Sequence, residues 1–253
     1  MPDLDTSRTP DIQTARRRWF VALRSWLAVM RDPEDTASGA RMVIAIDGRR
    51  IERNYQRFAA HPQGARVLAG APSLFELLTN RSRLAELPPG SLGRSYLEFV
   101  IREDISTEEL DAIVAPVEEE IMQPDAARMR FSRHMRASHD LWHVLTGYHR
   151  DLFGELQLIV FSHRQTGSLA FGWISRLARI GTGRRIPGGR PLLELAKVRG
   201  DRAPWLLGVD WEPLLGEPID RVREKLQIGT PPAYTRYVRK ASGFGLVPEE
   251  SVA

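Results

Sequence analysis

Apolar positions along the chain recur mostly at three- and four-residue intervals, the period of an α-helix lying on a core. Trp19, Phe20, Leu23, Trp26, Leu27 and Met30 share that spacing, and Arg16, Arg17, Arg18, Arg24 and Arg31 fall largely on the other side. This predicts an amphipathic helix with a basic polar face. Such a helix ordinarily packs its apolar stripe on its own protein, and the same pattern suits an anionic membrane surface. Asp32 before Pro33 reads as the cap and first residue of a second helix. The run at 41–46 is too short for periodicity to choose between strand and helix. Ser73 with Glu76, and Ser106 with Glu109, have capping-box spacing and predict helix starts. Pro88-Pro89-Gly90 marks a turn, after which the helical pattern resumes over 91–102 and again over 107–122.

Pro124 breaks the chain, and a long helix is predicted from Asp125 to Tyr148. Gly147 and Gly154 bracket a short connection, and another helix starts near Glu155 and continues into an apolar tract reaching Trp173. Residues 181–190 read as a loop, followed by shorter helices at 191–199 and 217–226. There is no repeat, no alternating strand series and no strand–helix–strand order. The expected fold class is therefore all-α. One helical, bundle-like domain covers 11–240, flanked by a flexible tail at 1–10 and a second tail at 241–253.

Hydrophobic content of 42% and charged content of 27% are ordinary for a globular protein. Cysteine is absent, which excludes disulfides, thiolate nucleophiles and thiolate ligands. Any metal must be held by His, Asp or Glu. Arg24 interrupts the first long apolar tract and His163-Arg164-Gln165 the second, so neither supplies the ~20 clean apolar residues of a membrane span. Arg24 likewise argues against a signal peptide, and the localisation read from the chain is cytoplasmic, with room for peripheral contact on the inner face of the membrane. The net charge of +4 comes from arginine, much of it at 16–31 and at Arg176, Arg179, Arg184, Arg185 and Arg190. Clustered arginine can meet phosphate in nucleic acid or lipid. Nucleic acid is set aside, because the arginines lack interleaved aromatics and no recognition motif is present.

The chemistry concentrates in His139-Asp140-Leu141-Trp142-His143, followed by eleven residues and Glu155. On a helix, His139 and His143 lie one turn apart on one face and can present two imidazoles to one ion. Asp140 sits about 100° round from His139, near enough to add an oxygen from the edge of that face. Glu155 lies past the turn, where an antiparallel helix could return it to the same point. The expected site thus lies between two adjacent helices, with a ligand set of His139, Asp140, His143 and Glu155 that suits zinc, manganese, iron or cobalt. The alternative is a buried histidine pair clamping two helices through carboxylates.

The run Arg133-His134-Met135-Arg136-Ala137-Ser138-His139-Asp140-Leu141-Trp142-His143-Val144-Leu145-Thr146-Gly147-Tyr148, closing at Gly154-Glu155, resembles the coenzyme Q biosynthesis protein four family, whose signature is the same His-Asp-x-x-His-x(11)-Glu. Leu87-Pro88-Pro89-Gly90-Ser91-Leu92-Gly93-Arg94-Ser95-Tyr96 looks like that family's turn before a tyrosine-bearing helix. Asp210-Trp211-Glu212, Pro218 and Asp220-Arg221-Val222-Arg223 up to Ile228 look like its C-terminal element. The resemblance spans 64–228 and departs at His134, at Ala137 and at Ile159-Val160-Phe161-Ser162.

The resemblance implies a helical ubiquinone-biosynthesis protein binding a divalent metal, zinc foremost, and a polyprenylated aromatic lipid. It implies a decarboxylase, a carbon–carbon lyase that replaces the C1 carboxylate of a polyprenylated 4-hydroxybenzoate-type intermediate by hydroxyl. His139, Asp140, His143 and Glu155 would be its catalytic and metal-binding residues. It also implies a second role, a lipid-binding scaffold that organises other ubiquinone-biosynthesis proteins, and it leaves room for a homo-oligomer. Arg133 and Arg136, just before His139, are candidate anchors for a substrate carboxylate or phosphate, against an ion pair with Glu118, Glu119 or Glu120. His134, His149 and His163 read as structural or exposed. Phe153, Leu156, Leu158, Ile159, Phe161, Leu169, Phe171 and Trp173 could line a prenyl channel or simply form core.

Overall fold

The structure, a computed structural model, describes residues 15–31, 35–186, 188–239 and 246–248. The expected first tail, the Asp32–Pro33 cap and the last residues of the second tail lie outside them. Twelve α-helices are described, with one short antiparallel pair of strands, β1 (Tyr237–Arg239) and β2 (Leu246–Pro248). Part of the stretch expected to be a tail is therefore paired.

The helix carrying the histidines, α8 (Ala126–Thr146), lies at the centre. Around it pack α4 (Leu74–Thr79), α6 (Leu92–Arg102) and α7 (Thr107–Met122), with α9 (Leu152–Thr166) following after a short turn. Helix α9 in turn packs on α10 (Leu169–Arg185) and α11 (Gly189–Arg202). Helix α2 (Thr36–Ala60) lies across α7 and α10, with α1 (Ala15–Arg31) on its outer side. The remaining helices are short: α3 (Pro62–Leu68), α5 (Arg81–Ala85) and α12 (Ile219–Lys225). One continuous hydrophobic core runs from Ile44 to Tyr237, centred on Phe58, Phe131, Leu141, Leu145 and Phe161, which are all fully buried.

Most helix starts follow local chemistry. Ser73 closes a full capping box with Glu76, as its spacing predicts. Ser106 accepts from Glu109 N–H but gives its hydroxyl to Glu108, so only half of that box forms. The run at 41–46 is helical, inside α2, whose cap is Asp35. The predicted loop at 181–190 is helical as far as Arg185, held by Ile186 N–H donating to Thr182 C=O. Its first glycines do not break the helix, because a glycine inside a helix keeps its backbone N–H and costs only about 1 kcal/mol. The apolar tract from Leu156 to Trp173 is two helices rather than one, since Gly167 ends α9 at φ +66° and Ser168 caps α10.

Two helices turn apolar faces outward. Helix α1 meets α2 through small residues, Ala22 and Ser25, which are buried. Phe20, Leu23, Trp26 and Leu27 of its stripe point away from the protein, with Phe20 70% and Leu23 55% exposed. On α10 the buried Asp47 of α2 supplies a long-range cap, accepting from Leu169 N–H at 2.6 Å and from the Ser168 hydroxyl. Beyond that cap Leu169, Trp173, Leu177 and Ile180 form a second exposed apolar stripe.

Candidate metal centre

The end of α8 is fixed unusually firmly, and this sets the position of His143. Arg223 donates to Val144 and Leu145 C=O at 3.0 Å, and the buried Arg199 donates to Thr146 C=O at 2.9 Å. These guanidinium groups satisfy the last carbonyls of the helix and complement its dipole. Gly147 then turns the chain at φ +72°, and a Cβ there would lie 2.4 Å from Pro231. The connection is closed by Asp151, which caps α9 through Phe153 and Gly154 N–H and accepts the Tyr234 hydroxyl and Tyr237 N–H. Gly154 passes so near His149 that a Cβ would sit 2.0 Å from its carbonyl oxygen. Both signature glycines thus exist for backbone approach, and together they bring Glu155 back beside the histidines.

His139, His143 and Glu155 each offer a ligand atom, all within 4.8 Å of one another. His143 Nε2 lies 3.3 Å from Glu155 Oε1, and His139 Nε2 lies 3.9 Å from Glu155 Oε2. Tetrahedral ligands bonded at about 2.1 Å are spaced by about 3.4 Å. The His143–Glu155 edge already has that spacing, and the His139–Glu155 edge is wider.

The ring orientations suit an ion. His143 Nδ1 is 2.9 Å from Tyr148 C=O and donates to it, which leaves the Nε2 lone pair for the site. That Nε2 is buried with no aligned hydrogen bond to any described residue. An orphaned buried nitrogen beside a carboxylate is costly unless something electropositive sits there, and a divalent cation fits. Phe99 stacks on the other face of the ring at 5.7 Å.

Asp140 falls outside this group. Its Oδ1 lies 3.6 Å from Nδ1 of His139, the nitrogen opposite the one that faces Glu155. Its Oδ2 accepts from the Thr107 hydroxyl at 3.3 Å, and Thr107 in turn accepts from Tyr96 at 2.6 Å. The structure therefore brings three of the four expected ligands together and places the fourth carboxylate behind His139, on the Nδ1 side of its ring. The sequence marks Tyr96 only as part of the family-like turn and does not single out Thr107, since nothing local ties either to a residue on another helix.

Electrostatics follow the same geometry. Desolvation disfavours charge on His139, but Asp140 and Glu155 outweigh it and hold its pKa above the usual value. Desolvation would raise Glu155, and His143 with His139 outweigh it and hold that carboxylate low. The pair is arranged for negative charge on Glu155 and for an electropositive neighbour.

A family model described as "Coenzyme Q (ubiquinone) biosynthesis protein Coq4" matches residues 11–232. The chain belongs to that family. Among its relatives, the Ubiquinone biosynthesis protein COQ4 homolog, mitochondrial, of Mus musculus is 29% identical over 175 residues, 68% of this chain and 63% of the mouse protein. The chain thus spans under two thirds of that relative's length. The Danio rerio homolog of the same name is 29% identical over 215 residues, 84% of this chain and 77% of that protein. A solved structure from Nostoc punctiforme PCC 73102, named after ubiquinone biosynthesis, has the same fold, with a TM-score of 0.59 at 17% identity over 86% of this chain and 99% of that one.

In this Coq4-family chain the three patches of resemblance meet in space. Leu92 N–H donates to Glu217 C=O and Gly93 N–H to Leu215 C=O, joining the Pro-Pro-Gly turn to the C-terminal element. Trp211 is buried in the core, and Glu212 pairs with Arg83. Arg136 is committed to Asp111 and Glu118, and Arg133 to Asp111, so both make the ion pairs that competed with an anchoring role. His134 is a buried clamp, accepting from Leu74 N–H and donating to Leu207 C=O, both at 3.2 Å. His149 contacts Arg236, and His163 Nδ1 donates to Ser168 C=O.

The centre opens on a groove of about 1010 Å³ between α2, α7, α8, α9 and α10, whose wall includes His139, Asp140 and Glu155. Of the expected channel residues, Ile159 and Phe171 line it, whereas Phe153, Leu158 and Phe161 are core. Its other apolar wall comes from Val43, Ile44 and Ile51 on α2 and from Leu110, Ile113 and Val114 on α7, which the sequence does not single out. Among the described residues, no helix is long and apolar enough to cross a membrane.

Proposed function

We propose that this ubiquinone-biosynthesis protein is a metal-dependent enzyme that removes the C1 carboxylate of a polyprenylated 4-hydroxybenzoate-type lipid and leaves a hydroxyl in its place. The observation that carries this reading is the His139–His143–Glu155 group beside a large, mostly apolar groove, with His139 and Glu155 on its wall and His143 buried behind them. Such a groove suits a prenyl tail, and the polar end of the lipid would then lie at the histidines.

His139, His143 and Glu155 would hold the ion, zinc foremost, with iron, manganese or cobalt served by the same donors. Three protein ligands leave a position for substrate, and the ion supplies Lewis-acid stabilisation of negative charge as the carboxylate leaves. Asp140 keeps the His139 ring turned with Nε2 toward the site. Tyr148 C=O does the same for His143. The apolar wall of α2 and α7 excludes water from the ring. Loss of carbon dioxide with gain of hydroxyl is a two-electron oxidation, so an oxidant is required as co-substrate.

The test is release of labelled carbon dioxide from a carboxyl-labelled prenyl hydroxybenzoate by metal-loaded protein under air. Release that disappears in Glu155→Gln, with the lipid still bound, supports the enzyme. Bound lipid with no release under any metal supports a scaffold instead. The outward apolar stripes of α1 and α10, with Arg24, Arg31 and Arg176 on the same helices, favour that second role. They suit peripheral contact with an anionic membrane and with other pathway proteins, and a homo-oligomer could use the same faces.

A further inference from the structure

We propose that Arg150 is the residue that recognises the anionic group of the ligand at this centre, holding a carboxylate beside the ion while the tail occupies the groove. This rests on the metal and lipid reading of the site and deepens it.

Arg150 lies in the turn between α8 and α9 and lines the groove together with His139, Asp140 and Glu155. It makes no hydrogen bond or ion pair with any described residue. Of the other guanidinium groups on the groove wall, Arg136 is already neutralised by Asp111 and Glu118, and Arg50 acts on the buried Asp47. Asp151 could have quenched Arg150 from the next position. Its two oxygens are instead taken by Phe153 and Gly154 N–H, the Tyr234 hydroxyl and Tyr237 N–H. The same bonds hold the turn rigid, so the base of the Arg150 side chain is fixed while its guanidinium stays free. Its charge reaches the site, because it acts on both His139 and Glu155.

Charge balance gives the ligand's class. A divalent ion with Glu155 and Asp140 sums to zero, and Arg150 leaves one positive charge for a monoanion. A planar guanidinium matches a carboxylate in two-point contact and gains over lysine there. Asp104 and Glu109 also lie on the groove wall and disfavour an anion beside them.

The probes are a prenylated hydroxybenzoic acid and the matching prenylphenol that lacks the carboxylate. Both are titrated against zinc-loaded wild type, Arg150→Gln and Arg150→Lys, with metal content measured in each. Wild type should prefer the acid, Arg150→Gln should weaken acid binding by about tenfold to a hundredfold with phenol binding and zinc content unchanged, and Arg150→Lys should fall between. Unchanged preference for the acid in Arg150→Gln overturns the assignment and leaves the metal reading standing. Equal weakening of both probes also overturns it, as a general effect on the groove. Failure of wild type to bind either probe overturns the lipid reading itself, and with it this assignment.

Discussion

At the scale of single residues, the candidate donors divide into three that could hold an ion, His139, His143 and Glu155, and one, Asp140, that lies behind a histidine ring. His143→Ala and Glu155→Gln are expected to abolish retention of metal, read by elemental analysis after dialysis. Asp140→Asn should instead lower metal affinity by about 10–100-fold while one equivalent still binds at saturation, read by chelator competition. Gly154→Ala places a methyl against the His149 carbonyl and should lower stability by about 1–3 kcal/mol, measured by denaturant unfolding. His134 gives a pH dependence. Burial lowers its pKa from 6.5 to about 4, so the folded protein keeps it neutral where the unfolded chain takes up a proton. Its contribution is complete above pH 6.5 and is lost as pH falls toward 4, by about 3 kcal/mol. His134→Gln should flatten thermal stability over that window relative to wild type. The pair His139 and His143 was readable because four-residue spacing puts them on one face. The position of Asp140 was not, because an angle of about 100° around a helix is compatible with facing either the ion or the back of a ring.

At the scale of elements, helix ends decide more than helix middles. The capping chemistry of Ser73, Asp125 and Asp151 acts within three residues and shows in the chain. Asp47 capping α10 does not, since its partners lie more than a hundred positions away. Asp47→Ala should leave the Leu169 N–H and the Ser168 hydroxyl unpaired and cost about 1–2 kcal/mol in thermal unfolding. Arg199 and Arg223 at the end of α8 belong to the same class of long-range cap. Gly181 and Gly183 read as loop residues, yet α10 continues to Arg185, because a glycine inside a helix costs only about 1 kcal/mol and keeps its backbone N–H for the ladder.

At the scale of the whole molecule, the site is a product of assembly. The groove takes its walls from α2 and α7, which precede the signature, and its donors from α8 and α9. The exposed stripes of α1 and α10 are expected to bind anionic vesicles. Trp26→Glu with Trp173→Glu should abolish flotation while leaving the metal content unchanged. The chain by itself determined the all-helical class, the family and a candidate set of four donors, His139, Asp140, His143 and Glu155, because each rests on short-range period, on ordered motifs or on residue chemistry. Which carboxylate joins the two histidines, which side of α1 turns outward, which acids pair with Arg133 and Arg136 and what walls the groove were decided only by tertiary structure, because each depends on side chains that meet from distant parts of the chain.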